Sequence, residues 1–166
     1  SRTYRYEDYF ETYGIDKENF FKSQKLTEFS LNKILKNGEY IWNASIQGAP
    51  PLIAYGKRVI ALDEMQRPIY QKVVVSYLKL DSLMKSVSLL NLSEIKVSNI
   101  DGQVLVQRDV EKLFQYPSLT GTPLFEKAIQ SNVKVSVTHV NIDNKGWLSA
   151  YAKAFADKII VTAKAP

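Results

Sequence analysis

The sequence predicts an α+β fold: a central, mostly antiparallel five-stranded sheet with an N-terminal helix and flanking short helices. Three observations predict it. Apolar residues recur at about helical spacing up to Gly38 and at strand spacing beyond it, and two hairpin signals follow, Asp101-Gly102 and Asp143-Asn144-Lys145-Gly146. Strands joined by tight turns pair antiparallel, and helices set before and between such hairpins give an α+β arrangement. A chain of 166 residues is long enough for one such domain with its own core.

The elements follow in order. Between Arg2 and Gly14, the residues Tyr6, Tyr9, Phe10 and Tyr13 fall on one helical face, and Gly14 provides a stop. Residues 1–15 are therefore read as an N-terminal helix. A polar turn, Asp16 to Asn19, leads through Phe20-Phe21 to a short helix over residues 27–36, closed by Asn37-Gly38. Glu39 to Ser45 is rich in strand formers and is ended by Gln47-Gly48-Ala49-Pro50-Pro51. Leu52 to Leu62 reads as a further strand or loop-strand segment, followed by a polar turn from Asp63 to Pro68. Ile69 to Leu80 contains the run Val73, Val74, Val75 and Tyr77, which predicts a strand at the centre of the sheet. Asp81-Ser82 then caps a helix carrying Leu83, Met84, Val87 and Leu90.

The second half is more regular. Ser93 to Asn99 and Gln103 to Gln107 form a hairpin, because Asp101-Gly102 suits the positive φ values of a tight primed turn. Thr122-Pro123 begins an N-capped helix with Leu124, Phe125, Ala128 and Ile129. Val133 to Ile142 and Trp147 to Phe155 form a second hairpin around a four-residue turn, and Lys158 to Ala165 is the last strand.

Composition narrows the chemistry. Hydrophobic residues make up 45% and charged residues 23%, the proportions of a folded chain. The formal net charge of +5 is scattered, with Lys57-Arg58 the longest basic run, so no nucleic-acid partner is expected. Cysteine is absent and His139 is the sole histidine, which excludes disulfides and thiolate or histidine-cluster metal sites. Pro51 stands where a P-loop leading to Gly56-Lys57 needs glycine, and no dinucleotide fingerprint or nucleophile elbow occurs. Asp101, Asp109 and Asp143 sit near turns, where turn and cap chemistry accounts for them. The expectation is a segment that is not itself an enzyme and holds no metal or cofactor. No window approaches about 18 consecutive apolar residues, a pattern that a water-exposed segment between two membrane spans would share.

Aromatic side chains on predicted strands are the remaining candidates. Trp42, Tyr55, Tyr70, Tyr77 and Tyr151, with Tyr40 among them, offer apolar surface plus a polar handle, which is what a small-molecule pocket needs; the competing reading is that they fill the core or an interface. His139, alternating within a predicted strand, joins Trp42, Tyr55, Tyr70, Tyr77 and Tyr151 as a ligand-contact candidate.

The order of elements, with Lys72 to Leu80 running into Asp81-Ser82-Leu83 and then Ile100-Asp101-Gly102-Gln103-Val104-Leu105-Val106-Gln107-Arg108-Asp109, resembles a Cache domain. The closing stretch Gly146-Trp147-Leu148-Ser149-Ala150-Tyr151-Ala152-Lys153, with Ile159-Ile160-Val161-Thr162, is similar to that family's last hairpin. A narrower resemblance, carried by Asn19-Phe20-Phe21, Asn43-Ala44-Ser45, Pro51-Leu52-Ile53-Ala54, Ser118-Leu119-Thr120 and Pro123-Leu124, is to Cache ectodomains preceding class III adenylate/guanylate cyclases of spirochaete-type bacteria.

The resemblance implies a single PAS-like Cache sensor domain over residues 16–166, with residues 1–15 on the juxtamembrane stalk side. It further implies an extracytoplasmic, periplasmic domain of an inner-membrane receptor, anchored through segments outside this chain. That receptor would bind an unknown small molecule, work as a homodimer and regulate a cytoplasmic cyclase producing cAMP. The expected pocket lies between the covered face of the sheet and the connector of residues 46–70. One departure matters: amino-acid-sensing members pair an arginine closely with the tryptophan, whereas Glu39, Tyr40 and Ile41 precede Trp42, so a carboxylate clamp is not expected. The alternatives are a dimerisation or protein-interaction ectodomain without a ligand, or the sensor of a histidine kinase or chemoreceptor.

Overall fold

A computed structural model describes residues 29–80 and 92–166, together with Gly14, Asp16, Lys85 and Leu90. The expected N-terminal helix and the helix after Asp81-Ser82 lie outside the described residues, apart from Lys85, which is helical. The chain divides into two compact units, residues 1–44 with 52–78 and residues 45–51 with 79–166. Both carry antiparallel sheet, and with the short helices they make the expected α+β arrangement. Among the described residues no helix is long and apolar enough to cross a membrane.

Among its described residues, the first unit has a three-stranded sheet and one helix. Helix α1, Leu31–Asn37, ends at Gly38, whose φ of 85° lets its N–H return to the Ile34 carbonyl at 2.8 Å. The Arg58 side chain donates to the Leu35 carbonyl at 2.7 Å, meeting another acceptor left open at the helix end. Strand β1, Glu39–Asn43, pairs antiparallel with β2, Leu52–Leu62, and β2 lies beside β3, Pro68–Lys79. The turn between β2 and β3 is organised by Asp63, whose Oδ1 accepts the N–H groups of Met65 and Arg67 at 2.9 Å each while Oδ2 takes the Arg67 Nε at 2.8 Å. The Arg67 N–H, foremost among these donors, holds the Asp63 carboxyl below its ordinary value.

Two expectations change here. Residues 46–70, expected as a connector, for the most part form β2 and the start of β3 of a three-stranded sheet. The valine run lies at an edge rather than at the centre: β3 is the last strand in the order β1-β2-β3, with Val74 52% and Leu78 57% exposed. A continuous apolar run does not by itself distinguish a strand covered on both faces from one covered on one.

The second unit carries the five-stranded sheet. Strands β4 (Glu94–Asn99), β5 (Val104–Gln107), β6 (Val135–Ile142), β7 (Lys145–Ala154) and β8 (Ile159–Ala165) lie in the order β5-β4-β8-β7-β6, every neighbour antiparallel. The last strand thus sits between the two hairpins and joins them. Helices α2, Val110–Leu113, and α3, Pro123–Gln130, belong to the segment between β5 and β6. Phe125 and Ala128 of α3 pack with Leu113, Leu119, Val104, Tyr151 and Ile160 as the buried core of this unit.

Its turns refine the sequence reading. In the first hairpin only Gly102 takes a positive φ, 86°, and Asn99 closes the turn by accepting the N–H groups of Asp101 and Gln103 on Oδ1 at 3.1 and 3.0 Å. This is a three-residue connection with a left-handed glycine, not a two-residue primed turn. The second hairpin shows the reverse: Ile142 pairs with Lys145, and Asp143 and Asn144 both lie in the left-handed region, so the expected four-residue turn is a two-residue one. Thr122 occupies the N-cap position of α3 with Pro123 following, but its hydroxyl donates to the Leu119 carbonyl at 2.6 Å and caps no helical N–H. Glu126 reaches back instead, accepting the Gly121 N–H at 2.8 Å.

Candidate functional site

Strand alternation puts Tyr40 and Trp42 on one face of β1, and the register sets Gly56 and Ala54 opposite them on β2. Two small residues in succession leave a trough on that face. Ile34 of α1 fills part of it: a Cβ at position 56 would lie 2.2 Å from Ile34 Cδ1 and 3.2 Å from Trp42 Cζ3. Tyr40 stacks on Trp42 with centroids 5.9 Å apart and planes 16° from parallel, and Phe29 meets Tyr40 edge-on at 6.1 Å. Lys33 Nζ stands over the Phe29 ring, 5.3 Å from its centre, in cation–π contact.

Trp42 is only 4% exposed, yet its Nε1 has no hydrogen-bond partner among the described residues. An unmet buried donor costs on the order of 1–3 kcal/mol, so nearly all such groups in folded proteins are paired. An N–H of this kind is chemically suited to a carbonyl, carboxylate or ring-nitrogen acceptor brought by a ligand. Ser98 Oγ, fully buried on β4, likewise has no partner among the described residues.

The other sequence candidates lie as follows. Tyr55, opposite Ile41, is on the other face of the β1–β2 pair, where its hydroxyl donates to the Glu39 carboxylate. Tyr77 is half-buried on β3 in line with Val73 and Val75. Tyr70 is also on β3. His139 is exposed on β6, and Tyr151, 3% exposed, is part of the apolar core beneath α3. The candidates are therefore divided: Trp42, Tyr55, Tyr70 and Tyr77 on the three-stranded sheet, His139 and Tyr151 on the five-stranded one. Ala54 and Gly56 are the residues that sequence reasoning passed over. Their alternating small side chains in a strand were the available signal.

The motif residues of the second unit prove to be a structural lock. Thr120 Oγ1 donates to the Asp101 carbonyl at 3.0 Å, the Leu119 N–H reaches the Gly102 carbonyl at 2.7 Å, and Val104 N–H bonds Pro117. A side chain at position 102 would strike Thr120 Oγ1 at 2.7 Å, so this approach needs glycine as well as its positive φ. Among the described residues, no three His, Cys, Asp or Glu side chains are grouped so as to hold a metal ion.

No protein-family model matches the sequence, and no curated protein matches it. Solved structures do share its fold. The periplasmic sensory domain of the Campylobacter jejuni chemoreceptor Tlp1 superposes with a TM-score of 0.54 at 17% identity, over 85% of this chain and 55% of that one. The ligand-binding domain of the Pseudomonas aeruginosa PAO1 amino acid chemoreceptor PctC, solved with GABA, gives 0.54 at 14% identity, over 86% and 62%. The extracellular domain of mmHK1S-Z2, described as a histidine kinase, gives 0.57 at 8% identity, over 82% and 53%. This chain spans a little over half the length of these solved domains. The fold is that of periplasmic and extracellular sensory domains of chemoreceptors and histidine kinases.

Proposed function

We propose that this chain is the extracytoplasmic ligand-sensing part of a bacterial transmembrane receptor, with Trp42 as a ligand-contact residue. The observation that carries the reading is the buried, unpartnered Trp42 Nε1 within an aromatic row, in a chain whose fold recurs in sensory domains. A ligand with a flat or apolar body and one hydrogen-bond acceptor would cover the indole and satisfy its N–H. The absence of an arginine just before Trp42 favours an acceptor other than an α-amino-acid carboxylate.

The receptor would be anchored in the inner membrane through segments beyond this chain and would act as a homodimer. Its output divides the readings. The sequence resemblance favours an adenylate/guanylate cyclase, whereas chemoreceptors and histidine kinases supply the solved domains of this fold. Either output requires the ligand to bind two arrangements of the chain unequally, since equal affinity shifts no population.

A thermal-shift screen of amino acids, other carboxylates, purines and polyamines tests the proposal, because a ligand that binds only the native form raises its stability. A stabilising compound whose affinity falls at least tenfold in Trp42→Ala supports the reading. Binding unchanged in a folded Trp42→Ala protein removes Trp42 from the site. Monomer–dimer exchange with no stabilising compound favours the ligand-free interaction module instead.

A further inference from the structure

The two outer strands of the five-stranded sheet are treated very differently. Strand β5 has four residues, all buried, and beside it the Gln103–Ser118 bridge and the bond from Val104 N–H to Pro117 cover the edge. Strand β6 is twice as long, with eight residues, and is the last strand on its side. Among the described residues nothing pairs with its outer edge.

The register identifies the free groups. A two-residue turn makes Ile142 and Lys145 a hydrogen-bonded pair, and alternation then points the even-numbered residues of β6 toward β7. The Lys153 N–H donating to the Lys134 carbonyl at 2.8 Å fits the same phase. The N–H and C=O groups of Val135, Val137, His139 and Asn141 therefore point outward. Their side chains share the face opposite α3, because Lys127 of α3 bonds the even-numbered Thr138 at 3.1 Å. Val135 and Val137 are each 63% exposed.

Natural sheets guard such edges with charge, proline or a bulge. β6 has none of these: from Val135 to Ile142 it contains no acidic residue, lysine, arginine or proline, and its pairing with β7 is continuous. We infer that β6 is a homodimerisation edge, pairing antiparallel with β6 of a second copy to make one continuous sheet of ten strands across the dimer.

The strand's own pattern favours a second copy over a foreign peptide. A two-fold axis perpendicular to the sheet keeps each face on its own side and sets odd residues against odd. Centred on Thr138, it matches residues 135–141 with themselves: Val135 against Asn141 of the second copy and Val137 against His139 of the second copy, all with outward backbone groups. Like charges opposite one another would forbid self-pairing, and this strand brings none. The same lack of charge leaves little with which to select a charged peptide. This edge belongs to a different sheet from the aromatic candidate site on β1, and its test reads association rather than ligand binding, so the two can fail independently.

Sedimentation velocity of the 166-residue chain across a concentration series is the test, with folding of each variant checked by circular dichroism. Val137→Lys adds a charge to the edge, and Val137→Pro removes an outward N–H without touching the β7 ladder. The chain has no cysteine, so Thr138→Cys introduces a single thiol, placed to meet its symmetry mate across the axis. The expected result is a concentration-dependent dimer, weakened at least tenfold by either Val137 variant, with a disulfide-linked dimer of the Thr138→Cys chain under mild oxidation. A monomer at every concentration overturns the inference, as does a dimer unaffected by both Val137 variants. Capture of an extended peptide by a chain that stays monomeric assigns the edge to another occupant and equally overturns it.

Discussion

Trp42 in the three-stranded unit and Tyr151 in the five-stranded unit are almost equally buried, at 4% and 3% exposure. Tyr151 lies within a closed apolar cluster under α3, the setting of a core residue. Trp42 lies in a trough made by Ala54 and Gly56 and keeps an N–H without an acceptor among the described residues. Burial alone therefore does not separate core from site. An aromatic residue whose polar atom is left unmet is the one with a reason to await a ligand.

The largest way to sharpen this contrast is Phe125→Ala. Phe125 is 3% exposed in the core cluster, and its truncation should cost about 3–5 kcal/mol, seen as a lower melting temperature and lost amide protection in β7 and β8. A loss below about 1 kcal/mol would mean that this core is loosely packed. Gly102→Ala should follow, at about 1–3 kcal/mol, from its φ of 86° and the approach of Thr120 to 2.7 Å. Denaturant melts of the two variants rank these effects.

Trp42→Phe should cost about 1–2 kcal/mol in the unliganded chain, since the smaller ring leaves part of the indole's space unfilled while an unmet donor disappears. A larger loss would place Trp42 with Tyr151 among the core residues. Smallest is Asp63→Asn. Because the folded-state carboxyl titrates below its ordinary value of 3.8, its contribution is complete above that value and is lost as pH falls through the lowered one. The wild-type acid limb should therefore be slightly steeper than that of Asp63→Asn, and identical limbs in pH-dependent melts would deny the turn any share in stability.

How much of this was legible follows the range of the interaction. The hairpins around residues 99–103 and 142–145 were visible because Asp-Gly and Asp-Asn carry local backbone preferences. The detail of the first turn was not, since the Thr120 lock reaches Asp101 from 19 residues further along the chain. The run Val73-Val74-Val75 announced a strand but not its place, although Pro68, Lys72 and Lys79 along it are residues that edges tolerate. Trp42 was picked for its chemistry. Its partners were hidden, because Gly56 and Ala54 matter only once the register of β1 on β2 brings them opposite Tyr40 and Trp42.

The most direct test of the sensing account compares ligand-induced stabilisation in the wild type and in Trp42→Phe. The account predicts that at least one compound from the screened classes raises the melting temperature of the wild type, and that this rise, measured against each protein's own unliganded value, is largely lost in a folded Trp42→Phe. A set of compounds that stabilises neither protein, or stabilises both equally, would contradict it.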